Sequence, residues 1–126
     1  MRRRAPTPPF VGGRGSQHAV AGAPAAPRPH GSRVAPGDLA GQVAQALRNT
    51  AIGLSGAGAS FTDVLRLTFY VTQWSPEKIG DFMTGVEAVA DEIGLRLPMP
   101  PASLIGVEYL FEPDVLVEVE ATALLD

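Results

Sequence analysis

Val64-Leu65-Arg66-Leu67-Thr68-Phe69-Tyr70-Val71-Thr72-Gln73 alternates without a break. Leu65, Leu67, Phe69 and Val71 fall on one side; Arg66, Thr68, Tyr70 and Thr72 fall on the other. A period of two, rich in β-branched and aromatic residues, predicts a strand with one buried face. The second face is semi-polar rather than charged, which suits cover by a partner subunit. Trp74 closes the strand and reads as a packing residue.

The segments on either side of this strand read as helices. Upstream, Pro36 and Gly37 break the chain and Asp38 stands ready as an N-cap. Leu39, Val43, Leu47, Ala51 and Leu54 then recur every three or four residues, while Gln42, Gln45, Arg48 and Asn49 fall off that stripe. The spacing predicts a helix over 38–55, stopped by Gly56 and Gly58. Downstream, Ser75-Pro76-Glu77 is a helix start: a cap, a proline at the first helical position and an acid at the positive dipole end. Ile79, Phe82, Met83, Val86, Val89, Ala90 and Ile93 form one broad apolar face, and Gly94 ends the run. On that pattern Phe82 and Met83 belong to the core rather than to a cofactor box.

Beyond the Pro-rich stretch 95–101, Ser103–Tyr109 and Val115–Ala123 read as two further strands. Phe111-Glu112-Pro113-Asp114 supplies a turn, so the two are expected to pair as an antiparallel hairpin. Strand, helix, strand implies a right-handed crossover between 64–73 and 103–109. Both helices then cover one sheet face, and the architecture is an α+β two-layer sandwich with a mixed sheet.

The chain has 126 residues, a length that suits one domain. Its composition is split. Residues 1–36 hold six Arg, no acid, seven of the 12 Pro and five of the 14 Gly; residues 37–126 hold all 13 acids. The net charge of -3 averages a basic arm and an acidic body. With Phe10, Val11, Val20 and Val34 as its large apolar residues, the arm cannot offset an ordering cost of ~1–2 kcal/mol per residue. Residues 1–36 are therefore expected to be disordered or irregular, and 37–126 to form the domain. Arg2-Arg3-Arg4 lacks the apolar stretch of an export signal, so the arm reads as a solvated tail or a misplaced start. Apart from Phe10 no aromatic interleaves its Arg residues, which argues against nucleic-acid binding. His18 and His30 read as tail residues rather than metal ligands. Zero Cys excludes disulfides, a cysteine nucleophile and cysteine metal sites. No apolar run approaches the ~18–20 residues of a membrane span.

Three groups could carry chemistry. Glu118 and Glu120 lie side by side on the face expected to meet another subunit. A partly buried carboxylate there can orient a water or move a proton, or simply pair with a base across the interface. Pairing is the better reading for Glu120; Glu118 admits both. Arg66 could bind a substrate carboxylate, but an ion pair with Glu118 or Glu120 is the more economical expectation. Gly12-Gly13-Arg14-Gly15 fits neither a P-loop nor a dinucleotide fingerprint.

The order and spelling of these elements resemble the RidA/YjgF family of reactive-intermediate deaminases, the endoribonuclease L-PSP-like proteins. The matching stretches are Gly37–Leu47, Gly58-Ala59-Ser60 followed by Asp63–Thr72, Pro101–Val107 and Leu116–Ala123. Together they cover about residues 36–125. The resemblance implies a chorismate-mutase-like fold, a cytoplasmic homotrimer with ligand clefts between subunits, and no metal or organic cofactor. It implies hydrolysis of enamines and imines of the 2-aminoacrylate type to a ketoacid and ammonia. The family glutamate that positions the attacking water falls on Glu118. The family arginine that binds the substrate carboxylate falls at Ala102, beside Ser103, and no Arg or Lys follows Arg96. The only Asn is Asn49, so the family asparagine of the second helix has no counterpart, and the two N-terminal strands find no match in residues 1–36. The implied partner is a small carboxylate or imine. The alternative is a non-catalytic, small-molecule-binding or scaffolding trimer of the same fold.

Overall fold

A computed structural model describes residues 17–24 and 37–125. Strand β1 spans Gln17–Pro24, helix α1 Leu39–Gly56, strand β2 Val64–Thr72, helix α2 Ile79–Ile93, strand β3 Ala102–Val107 and strand β4 Val117–Leu125. The strands form one mixed sheet in the order β1-β4-β2-β3. β4 pairs antiparallel with β1 and β2, and β3 runs parallel to β2. The helices pack on one face of this sheet, the expected α+β two-layer arrangement.

Local chemistry sets the helix ends. The Asp38 side chain accepts from the Gly41 N–H at 3.0 Å and caps α1. A short 3₁₀ turn, Pro76–Lys78, leads into α2. Ser75 stands at its start but makes no side-chain capping bond to the backbone; instead its hydroxyl helps hold the Glu77 carboxyl below its ordinary pKa. Gly94 ends α2 in the left-handed conformation, φ 75°, which costs glycine nothing.

The core lies between the layers. Leu67, Phe69 and Val71 of β2 and Val117, Val119, Ala121 and Ala123 of β4 meet Val43, Leu47 and Leu54 of α1 and Phe82, Val86 and Val89 of α2. Phe82 packs edge-on against both Phe69 and Trp74, at ring-centroid distances of 4.8 and 6.2 Å. The helices approach closely at Gly85, where a Cβ would sit 2.4 Å from the Ala40 carbonyl oxygen and 2.8 Å from Val43 Cβ. Arg48 and Glu92 bridge them at the surface through paired contacts of 3.0 and 3.3 Å.

Four expectations need correction. The segment 17–24 is a strand, not irregular: it runs the length of β4, from Gln17 opposite Leu125 to Pro24 opposite Glu118. Its backbone ladder to β4 forms although Val20 is its one large apolar residue. The rest of the basic arm, including Gly12–Gly15 and His30, lies outside the described residues. Secondly, β3 and β4 are not a hairpin, because β2 lies between them. Two nine-residue strands, β2 and β4, pair from Val64 opposite Ala123 to Val71 opposite Val117, a longer ladder than six-residue β3 could offer. Thirdly, a register shift between Val64 and Arg66 puts Val64 in the core and leaves Leu65 exposed. Finally, Gln42, read as lying off the apolar stripe of α1, is buried at 2% exposure. Its Nε2 donates to the Asp114 carbonyl at 3.0 Å, and its Oε1 accepts from the Leu116 N–H at 2.8 Å. One amide thus pins the chain entering β4.

Among the described residues no helix is long and apolar enough to cross a membrane.

Candidate active site on the open sheet face

The sheet face turned away from the helices is the semi-polar one. Arg66, Thr68, Tyr70 and Thr72 run down β2 at its centre. Register places Ser103, Ile105 and Val107 of β3 beside Thr68, Tyr70 and Thr72. On the other flank it places Thr122, Glu120 and Glu118 of β4 beside Arg66, Thr68 and Tyr70. The three strands therefore bring Glu118, Glu120 and Ser103 onto one surface.

The two carboxylates are not equivalent. The Tyr70 hydroxyl donates to Glu120 Oε1 at 3.1 Å, a diagonal contact between neighbouring strands. Burial, then this hydrogen bond, push the Tyr70 pKa above its ordinary value, and the nearby Arg66 pulls the other way. Tyr70 therefore stays protonated and keeps donating. Glu118, directly opposite Tyr70, receives no hydrogen bond or ion pair from another described residue. It is half-buried, with its oxygens available to a water or a ligand.

Arg66 does not take the ion pair expected of it. Its guanidinium donates to Ser103 Oγ at 3.3 Å, across to β3 and away from the carboxylates. Ala102 is not on this surface: it pairs with Leu67 and shares that residue's side of the sheet. Of the residues expected to bind substrate, Ser103 faces the open side with Glu118 and Ala102 does not. Arg96 lines a groove of about 300 Å³ with Phe61, Thr62, Pro98 and Met99. The guanidinium that reaches Ser103 is that of Arg66. Among the described residues no group of three or more His, Cys, Asp or Glu could hold a metal ion.

Tyr70 was not singled out from the sequence. Alternation alone puts it on the right face, but its contact with Glu120 depends on the β2–β4 register, which no local signal announces.

Comparison with known proteins settles the ancestry. The family model described as Endoribonuclease L-PSP matches residues 6–125. The chain belongs to the RidA/YjgF family. A Yersinia pestis structure, described as a protein of unknown function of the conserved Rid family, is 34% identical. That match covers 86% of this chain and 78% of that one, with a TM-score of 0.70. A Mycobacterium tuberculosis member of the YjgF family is 32% identical, over 84% of this chain and 77% of that one, with a TM-score of 0.61. The Escherichia coli YjgF gene product shares the fold, with a TM-score of 0.69 at 24% identity over 95% and 92% of the two chains. No curated protein matches.

Proposed function

We propose that this RidA/YjgF chain hydrolyses reactive enamines and imines of the 2-aminoacrylate type to a ketoacid and ammonia, in the cytoplasm and as a homotrimer, without metal or organic cofactor. The observation that carries the reading is the contrast on the open face. Glu120 is held by Tyr70, while Glu118 beside it keeps its acceptor oxygens free of other described residues.

In the imine tautomer, water adds to the carbon that bears nitrogen. One O–H proton leaves that water as the C–O bond forms, and the nitrogen gains a proton. The carbinolamine then expels ammonia as its hydroxyl becomes the ketone. Glu118 accepts the hydrogen bond that aims the water and can hold its proton in passing. Ser103 lines the same surface as a hydrogen-bonding group for substrate.

The open face supports assembly. Ile105 and Leu124 are exposed on it, and Tyr109 and Phe111 follow in the loop after β3 at 77% and 80% exposure. A second copy placed there would bury apolar surface and wall in the cleft around Glu118. The rival reading is a non-catalytic ligand-binding or scaffolding trimer, and Ala102 in place of an arginine favours it. Ammonia release from freshly generated 2-aminoacrylate separates the two, because binding without turnover leaves the rate at that of buffer.

A further inference from the structure

The described side chains include four Lys or Arg residues, and three of them stand elsewhere. Arg48 is paired with Glu92 on the helix side. Lys78 donates to the Gln73 carbonyl. Arg96 lines the groove beside Phe61 and Met99. Arg66 alone of the four stands on the open sheet face.

Its surroundings are unusual for a guanidinium. Two carboxylates share its face, yet neither pairs with it among the described residues: Glu120 is taken up by Tyr70, and Arg66 turns to β3. One of its N–H groups is given to a neutral hydroxyl, Ser103 Oγ, at 3.3 Å. The others have no described partner. A guanidinium presents its donors as a planar fork that matches the two oxygens of a carboxylate. Ser103 fixes the orientation of that fork and can add its own O–H. Thr68, flanked by Ser103 and Glu120, contributes a further hydroxyl-bearing side chain to the row.

We infer that Arg66, oriented by Ser103, is the carboxylate anchor of the open face and takes small organic carboxylates, 2-ketoacids among them. The inference builds on the proposed reaction, whose substrate and product both carry a carboxylate. It places the anchoring charge on β2, the strand next to the one where Ala102 leaves none. Strand geometry adds a consequence. Arg66 and Glu118 are two pleats apart along their paired strands, roughly 13 Å at the backbone, although the guanidinium leans towards the Ser103 row. A ligand held by Arg66 and served by Glu118 of the same chain has its reacting carbon several bonds from its carboxylate. A compact one such as 2-aminoacrylate is served by Glu118 of a second copy.

The test is titration of the full chain with pyruvate, followed by calorimetry or by NMR of the ligand. Arg66 is exposed, so its replacement leaves the core intact. Arg66→Gln is expected to weaken pyruvate binding at least ~10-fold, the scale of a lost charge-assisted pair. Arg66→Lys should retain part of it, and Ser103→Ala should weaken it less than Arg66→Gln. Arg96→Gln should match the parent. Glu118→Gln should lose hydrolysis and still bind pyruvate through Arg66. Pyruvate binding that survives Arg66→Gln, or that is absent from the parent at millimolar ligand, overturns the inference. So does a change of native mass in Arg66→Gln, which would make Arg66 an interface pair. Arg66-dependent binding with hydrolysis at the buffer rate would keep the anchor and discard the deaminase reading. Hydrolysis unchanged in Arg66→Gln would do the reverse.

Discussion

Tyr70 shows how much one side chain decides on this surface. Its hydroxyl fixes Glu120, and the carboxylate left over is Glu118. Tyr70→Phe should cost about 1 kcal/mol of stability, the net worth of one hydrogen bond. A second effect follows from its raised pKa. The folded chain keeps the phenolic proton at pH values where the unfolded chain has lost it. This contribution is therefore whole below the ordinary tyrosine value of 10.0 and fades as pH rises beyond it. Urea unfolding followed from about pH 9 to 11 should show a steeper alkaline loss in the parent than in Tyr70→Phe. A parallel fall in both would deny the coupling. At this scale the sequence was legible in part. Alternation assigned Glu118, Glu120, Arg66 and Tyr70 to one face. It did not show that Arg66 would choose Ser103 over a carboxylate, because that choice depends on which strands are neighbours. Gln42 was invisible for the same reason, since its partners lie 72 and 74 residues away along the chain.

The elements themselves were easier to read than their order. Caps, glycines and apolar spacing located α1 and β2 nearly to the residue, and α2 at its C-terminal end, its expected first turn being the 3₁₀ turn Pro76–Lys78. Pairing was harder. A turn at 111–114 between two strands looks like a hairpin locally, and only the longer β2–β4 ladder outcompetes it. β1 escaped notice because Ala19, Ala21, Gly22 and Ala23 give it almost no hydrophobic alternation. The helix pair offers a sharp test of packing. Gly85 lies where α1 and α2 touch, so Gly85→Ala must push Ala40 and Val43 aside and should destabilise by about 1–3 kcal/mol. Gly80, in the same helix, has open space where a Cβ would go. Gly80→Ala should therefore raise stability by about 0.5–1 kcal/mol through backbone entropy. Denaturant midpoints of the two variants should move in opposite directions. Equal shifts would mean that the helices are not in contact at Gly85.

On the scale of the whole molecule, the sheet has one face closed by helices and one carrying polar chemistry beside exposed Ile105 and Leu124. An assembly that covers this face accounts for both features. Native mass should report three copies of the 13.2 kDa chain, and Ile105→Glu should shift the population to smaller species. A parent that is monomeric at micromolar concentration would remove the shared cleft. The measurement that bears most directly on the account is ketoacid release from freshly generated 2-aminoacrylate, for the parent and for Glu118→Gln side by side. Release well above the buffer rate in the parent, falling to that rate in a folded Glu118→Gln, is the predicted result. Release at the buffer rate in the parent, or equal release from both proteins, would contradict it.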